Sequence, residues 1–147
     1  MNKLTSLILC LGLLSACTSA PVETPEEGLV VIQSENITYT NSEYGFTLEL
    51  SSDWKNYTTR ESELEWGDAG NTPSYYFGFE DSSEIFNISI HTLEQWELLS
   101  QFDGPQPSKL GQNEEWVFAG SGSQDVDEDY LDQRMEVSEI LESFRAI

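Results

Sequence analysis

The sequence predicts a small α/β domain of the α+β type, in which short strands are combined with two helices. Apolar and polar residues alternate over "FTLEL", residues 46–50, which is the period of a strand with one buried face. Two further strand-like runs, "SYYFGFE" and "EIFNISIH", are separated only by residues 81–83. The last segment, "DVDEDYLDQRMEVSEILESFRAI", carries apolar residues at helical spacing.

The predicted folded part begins between residues 29 and 37, and Trp54 follows the first clear strand in a turn. Residues 56–74 are polar and contain Gly67, Gly70 and Pro73. Glycine and proline at this density are typical of loops, so we predict a long excursion with at most a short strand in it.

The strand over residues 84–91 has one face formed by Phe86, Ile88 and Ile90. His91 belongs to the opposite face, with Ile85, Asn87 and Ser89, so we expect it to point away from the better-buried side.

A short helix over residues 93–101 is predicted next, because Thr92 and Gln95 have the spacing of a capping box. "DGPQPSK" then ends the helix, and Trp116 and Phe118 mark a further strand, after which glycines are expected to open a turn.

The C-terminal helix is predicted to be amphipathic. Asp125 or Asp127 is expected to cap it, and Arg145 lies at its end, where a positive charge complements the helix dipole. Its apolar stripe consists of Tyr130, Val137, Leu141 and Phe144, with Ile140 beside it.

The first 16 residues are expected to be an export signal that is removed. Lys3 precedes an apolar run from Leu4 to Leu14, which is shorter than the roughly 20 residues that a membrane-spanning helix needs. The segment after it, residues 17–28, is rich in Pro and Glu and predicts a disordered tether, and residues 29–147 then form one globular domain.

The tetrapeptide Leu14-Ser15-Ala16-Cys17 resembles the bacterial lipobox in all four positions. This resemblance implies signal peptidase recognition through Leu14, Ser15 and Ala16, lipid attachment to Cys17, and a membrane anchor for the mature chain. Several acyl chains on one residue anchor a protein stably. Thr18 after the cysteine implies the outer membrane if the organism has two membranes. A plain cleaved signal would instead leave Cys17 as an unpaired thiol.

The chain of 147 residues has six Lys and Arg against 27 Asp and Glu, a net charge of −21. Such a charge repels nucleic-acid phosphates and attracts cations and basic partners, so nucleic-acid binding is disfavoured. Solubility of an exported protein, or a salty habitat, would explain the same acidity.

Candidate catalytic residues are few. His91 is the only histidine, and we expect it to be a surface residue rather than a general base. With 27 acids, no carboxylate pair can be singled out for hydrolysis.

Asp125, Asp127, Asp129 and Glu136 occupy positions 1, 3, 5 and 12 of an EF-hand calcium loop. Tyr130 replaces the glycine that such a loop needs at its sharp turn, so we predict no metal site and no cofactor, with calcium kept as the open alternative. Trp66 or Tyr76, if exposed, would be the aromatic candidates for a partner or glycan surface.

The motif Tyr44-Gly45-Phe46, Trp54 after it, and the "ILESF" pattern of the final helix are similar to the PsbP-like group of domains. Ser51 departs from the proline usual before the tryptophan in that group. The resemblance implies a central, mostly antiparallel sheet flanked by helices, and it carries no activity over to this chain.

These observations favour a non-catalytic binding or accessory module of the bacterial cell envelope, held to the membrane by its lipid and with a protein of the envelope as partner. The alternative is an envelope hydrolase that uses carboxylates the sequence does not identify.

Overall fold

A computed structural model describes residues 35–147 of the chain. The predicted leader and tether, including Leu14, Ser15, Ala16 and Cys17, lie outside the described residues. The described part contains two α-helices, α1 (Leu93–Leu99) and α2 (Leu131–Glu142), and eight strands. The strands are β1 (Ile37–Asn41), β2 (Phe46–Leu50), β3 (Thr58–Glu65), β4 (Asn71–Gly78), β5 (Phe86–Thr92), β6 (Ser108–Gln112), β7 (Trp116–Gly122) and β8 (Arg145–Ala146).

The strands form two antiparallel sheets, one of three strands in the order β1-β2-β8 and one of five in the order β3-β4-β5-β7-β6. Helix α1 covers one face of the five-stranded sheet, where the Trp96 ring meets His91 of β5. Helix α2 and the three-stranded sheet cover the other face, where Leu141 reaches Gly120 of β7. The predicted α+β class, with a mostly antiparallel sheet, flanking helices and a C-terminal helix, is confirmed.

The hydrophobic core lies between the two sheets and is largely aromatic. The Phe46 ring lies 5.4 Å from the Phe118 ring and 5.6 Å from the Phe144 ring, and Phe77 stacks on Phe86 with 4.5 Å between ring centroids. Aromatic pairs at these separations are worth about 0.5–1.5 kcal/mol beyond the area that they bury. The core therefore joins β2, β4, β5, β7 and the C-terminal segment without a disulfide among the described residues.

Strand β2 was predicted correctly, with Phe46, Leu48 and Leu50 fully buried. Trp54 follows it in a 3₁₀ turn and is also fully buried. Gly45 precedes β2 with a positive φ of +76°, and a Cβ there would lie 2.7 Å from the Ile147 carbonyl oxygen. Only glycine fits this turn without strain.

The prediction of a long excursion over residues 56–74 is wrong, because this region contains β3 and the start of β4, paired residue by residue as an antiparallel hairpin. Strand β3 is at the edge of its sheet and most of its side chains are exposed, so it needs no apolar alternation. Charged residues on such a strand discourage pairing with other chains. Gly67 and Gly70, both with positive φ, form the turn of this hairpin.

The predicted neighbouring strands are β4 and β5, and they pair as expected. The predicted capping box at the start of α1 is also confirmed: Thr92 Oγ1 accepts from the Gln95 amide, and the Gln95 side chain accepts from the Thr92 amide. The helix ends at Leu99, two residues earlier than predicted.

Two further predictions were wrong on the five-stranded sheet. Strand β6 follows α1 where only a break was expected, and Gly120 and Gly122 lie inside β7 instead of opening a turn. A Cβ on Gly120 would lie 2.9 Å from Leu141, and one on Gly122 would lie 3.1 Å from Arg134. These glycines allow α2 to approach the sheet closely.

Helix α2 buries Val137, which belongs to the predicted stripe, and Ile140, which lies beside it. The prediction that Asp125 or Asp127 caps it is wrong. Tyr130 is the N-cap of α2 and makes no side-chain capping bond, and a 3₁₀ turn over Glu128–Tyr130 leads directly into the helix.

Candidate functional site

His91 is buried, which corrects the prediction of a surface histidine. Its side chain has no solvent exposure, because the Trp66 ring, from the β3–β4 turn, and the Trp96 ring, from α1, each lie 5.6 Å from the imidazole. This burial lowers the pKa of His91 from 6.5 to about 4. The imidazole is therefore neutral at physiological pH.

The arrangement of His91 and Ser89 does not activate the serine. Ser89 Oγ lies 2.8 Å from His91 Nε2 and 3.3 Å from the Ala119 carbonyl oxygen. When His91 Nε2 carries the ring proton, it donates to Ser89 Oγ, and the Ser89 hydroxyl donates its own proton to the Ala119 carbonyl. His91 Nδ1 is then unprotonated and could only accept a hydrogen bond. The opposite tautomer would bury an Nδ1–H group without an acceptor, since Nδ1 has no partner among residues 35–147. We assign the Nε2–H tautomer, in which the histidine donates to Ser89.

Both members of this pair are fully buried, so a substrate could not reach the Ser89 hydroxyl without a rearrangement of α1 or the β3–β4 turn. No carboxylate is hydrogen-bonded to His91 Nδ1 in the described part of the chain. The pair therefore lacks both the access and the orienting acid that a nucleophile–base pair requires.

The four acids of the EF-hand pattern are not brought together around a cation. Glu136 is used elsewhere: its Oε2 accepts from Ser51 Oγ at 2.7 Å and from Trp54 Nε1 at 3.1 Å, which ties α2 to the end of β2. Within residues 35–147, no group of three His, Cys, Asp or Glu side chains could hold a metal ion.

The two aromatic candidates are half-buried. The Arg60 guanidinium lies 5.0 Å from the centroid of the Tyr76 ring, and Arg60 also pairs with Glu84. This ion pair lowers the pKa of the Glu84 carboxyl. Tyr76 is thus already covered by a cation of its own chain.

Trp66 has a different environment, since its indole N–H donates to Thr72 Oγ1 at 2.9 Å while part of its ring lines an open cleft. The cleft has a volume of about 450 Å³, which lies in the range of ligand pockets. Two segments form it: the end of β3 with the β3–β4 turn, and the end of α1 with the loop after it. Its lining includes Glu65, Trp66, Asp68, Leu99, Phe102 and Asp103.

The chemistry of this cleft, which we call the Trp66 cleft, is apolar with an acidic margin. Trp66, Leu99 and Phe102 supply the apolar surface, and each of the two segments contributes carboxylates. None of the described residues that line it is Lys or Arg. A positive charge flanked by apolar groups would therefore find both an aromatic surface and unneutralised carboxylates there.

The sequence pointed to Trp66 but not to its neighbours. Phe102 and Asp103 come well after Trp66 in the chain. Phe102 directly follows the predicted helix, and Asp103 starts the segment predicted to break it. The available signal was an apolar Phe102 left outside the predicted helix, in a stretch otherwise typical of a loop.

The described helices are too short or too polar to cross a membrane. Comparisons with protein-family models, with curated proteins and with solved structures gave no match for this chain.

Proposed function

We propose that this protein is a lipid-anchored, non-catalytic binding module of the bacterial cell envelope, and that its binding site is the Trp66 cleft. The observation that carries the proposal is the cleft itself: a concave apolar surface with acidic residues on both of its segments. The buried Ser89–His91 pair supports a non-catalytic role, because the one histidine of the chain serves the packing of α1.

The anchoring part of the proposal rests on Leu14-Ser15-Ala16-Cys17. It places the mature protein on a membrane through lipid on Cys17, on the outer membrane in an organism with two membranes. Labelled palmitate fed to the cells should appear on the wild-type protein and be absent from the Cys17→Ser variant. Equal labelling of both proteins would contradict lipidation at Cys17.

The likeness to the PsbP-like group is also a proposal. It is supported by the residues that suggested it: Phe46 and Trp54 are fully buried, and Phe144 packs against Phe46 and Phe118. These positions hold the core together, so the likeness concerns the fold and implies no activity.

Site-specific photo-crosslinking in intact cells tests the binding role. A photoreactive amino acid at position 102, where Phe102 is 38% exposed, should capture an envelope protein. The matched control carries the same amino acid at position 135, where Met135 on α2 is 74% exposed. Capture of the same proteins in equal amounts from both positions, or of none from position 102, would contradict a binding site at the cleft.

A further inference from the structure

The Trp66 cleft also indicates the chemistry of its partner. We propose that it binds a basic polypeptide segment in which Lys or Arg is flanked by apolar residues, an inference that rests on the proposed binding role of the cleft. The open shape of the cleft, its acidic residues and its apolar lining favour such a segment.

One exposed apolar residue lines the cleft, and another directly precedes a lining residue in the chain. Leu98, in the last turn of α1, is 40% exposed, and Phe102 in the following loop is 38% exposed. Large apolar side chains grouped on a surface are typical of an interaction site. An extended polypeptide is long enough to reach Leu98 as well as the cleft, whereas a small ligand would occupy only the cleft.

The charges select a cation. Glu65 ends β3, Asp68 belongs to the β3–β4 turn and Asp103 belongs to the loop after α1, so acidic residues line the cleft from both segments. None of the three makes a side-chain hydrogen bond or an ion pair within residues 35–147, whose one recorded salt bridge is Arg60–Glu84. Their charges are thus available to a partner.

The aromatic rings complete the site for a basic side chain. A guanidinium or ammonium group is attracted to the face of a tryptophan ring, and its aliphatic stem packs on apolar surface. Trp66 is held in place for this contact by its hydrogen bond to Thr72 and by its packing on His91. Such a pre-positioned ring loses little entropy on binding.

The test is a fluorescence anisotropy titration of the purified full-length protein with a short labelled peptide in which arginine alternates with leucine. We expect saturable binding that weakens as salt is added. The same peptide with glutamate in place of arginine, or with serine in place of leucine, should bind at least about tenfold more weakly. Equal binding of all three peptides would overturn the proposal.

Two matched triple variants distinguish peptide binding at the Trp66 cleft from attraction to the net negative charge of the chain. Glu65→Gln, Asp68→Asn and Asp103→Asn together should weaken peptide binding about tenfold. The control removes three exposed carboxylates elsewhere, through Glu114→Gln, Glu115→Gln and Glu142→Gln, and so changes the net charge equally. Equal weakening by both triple variants would show that the peptide senses only net charge, and would overturn the proposal.

Phe102→Ala tests the apolar part of the site. Because Phe102 is partly exposed, its removal should leave thermal unfolding unchanged while peptide binding weakens several-fold. Unchanged peptide binding would contradict the assigned role of Phe102. A partner captured from position 102 in cells through a segment without Lys or Arg would leave the binding role intact and overturn the proposed chemistry alone.

Discussion

The two faces of the five-stranded sheet are built from different kinds of residue, although the same strands provide both. On the face toward the three-stranded sheet, Phe77, Phe86 and Phe118 fill the core with rings. On the face beneath α1, the buried residues include Ser74 and His91. Both faces exclude solvent at these positions, but the buried residues of the face beneath α1 mix polar groups with smaller apolar side chains.

This difference indicates that the two faces of the sheet contribute unequally to the stability of the fold. Ser74 Oγ, Asn87 Nδ2 and His91 Nδ1 are buried without hydrogen-bond partners in the described part of the chain. Unpaired buried polar atoms each destabilise a fold by about 1–3 kcal/mol. The α1 face, next to the Trp66 cleft, should therefore be the less stable side of the domain.

The largest loss of stability is expected from a substitution on the face of the five-stranded sheet that packs against the three-stranded sheet. Phe77 is fully buried between Phe86 and Tyr39, so Phe77→Ala should lower the free energy of unfolding by about 3–5 kcal/mol. Urea unfolding measures this. The exposed Phe102→Ala variant is the control and should change stability by less than about 0.5 kcal/mol. Similar losses for both variants would contradict the contrast between core and surface rings.

The next effect concerns pH and the α1 face. The pKa of His91 is about 4 in the folded protein and 6.5 when exposed, so the unfolded state binds more protons between these values. Stability should fall by about 3 kcal/mol as the pH drops from 6.5 to 4, and should not change through His91 above that window.

Urea unfolding at several pH values measures the loss, and comparison with His91→Phe removes the contribution of the carboxylates that titrate in the same range. The difference in stability between the two proteins should change across this window. A constant difference would show that His91 is not desolvated in the folded state.

A smaller effect is expected at the start of α1. Thr92→Ala removes the side-chain acceptor of the capping box and should destabilise the protein by about 1 kcal/mol. Ser138→Ala, at an exposed position of α2, is the control and should have little effect. Hydrogen exchange of the α1 amides should rise in Thr92→Ala, and no change there would contradict a stabilising cap.

The smallest effect should come from Ser74, on the same strand as Phe77 but on the opposite face. Because its buried hydroxyl has no partner among the described residues, Ser74→Ala should leave stability unchanged or raise it by up to about 1 kcal/mol. Thermal unfolding is a sufficient readout. A clear loss of stability would show that the hydroxyl is hydrogen-bonded in solution.

The elements that were predicted correctly are those whose signal is local. Strand β2 shows its period within five residues, and the Thr92–Gln95 capping box acts over three positions. Strand β6 and the full length of β3 were missed because both are edge strands whose exposed side chains need no apolar alternation. Their pairing is determined by a neighbouring strand, which a single segment of sequence does not reveal.

The candidate site was predicted only in part, and for the same reason. Trp66 stood out as an aromatic residue in a polar stretch, but the cleft needs Phe102 and Asp103 from the other side of α1. His91 was assigned to the correct face of its strand but was expected at the surface. The Trp66 and Trp96 rings that bury it come from other segments of the chain.

The sequence by itself determined the strand and helix periods, the local caps, the strong negative charge and the lipobox-like tetrapeptide, because each depends on composition or on neighbours a few positions apart. The tertiary structure decided which polar residues became buried, which edge strands formed, and which carboxylates and rings share a cleft. These outcomes depend on contacts between distant segments, and long-range packing overrides what the local pattern favours.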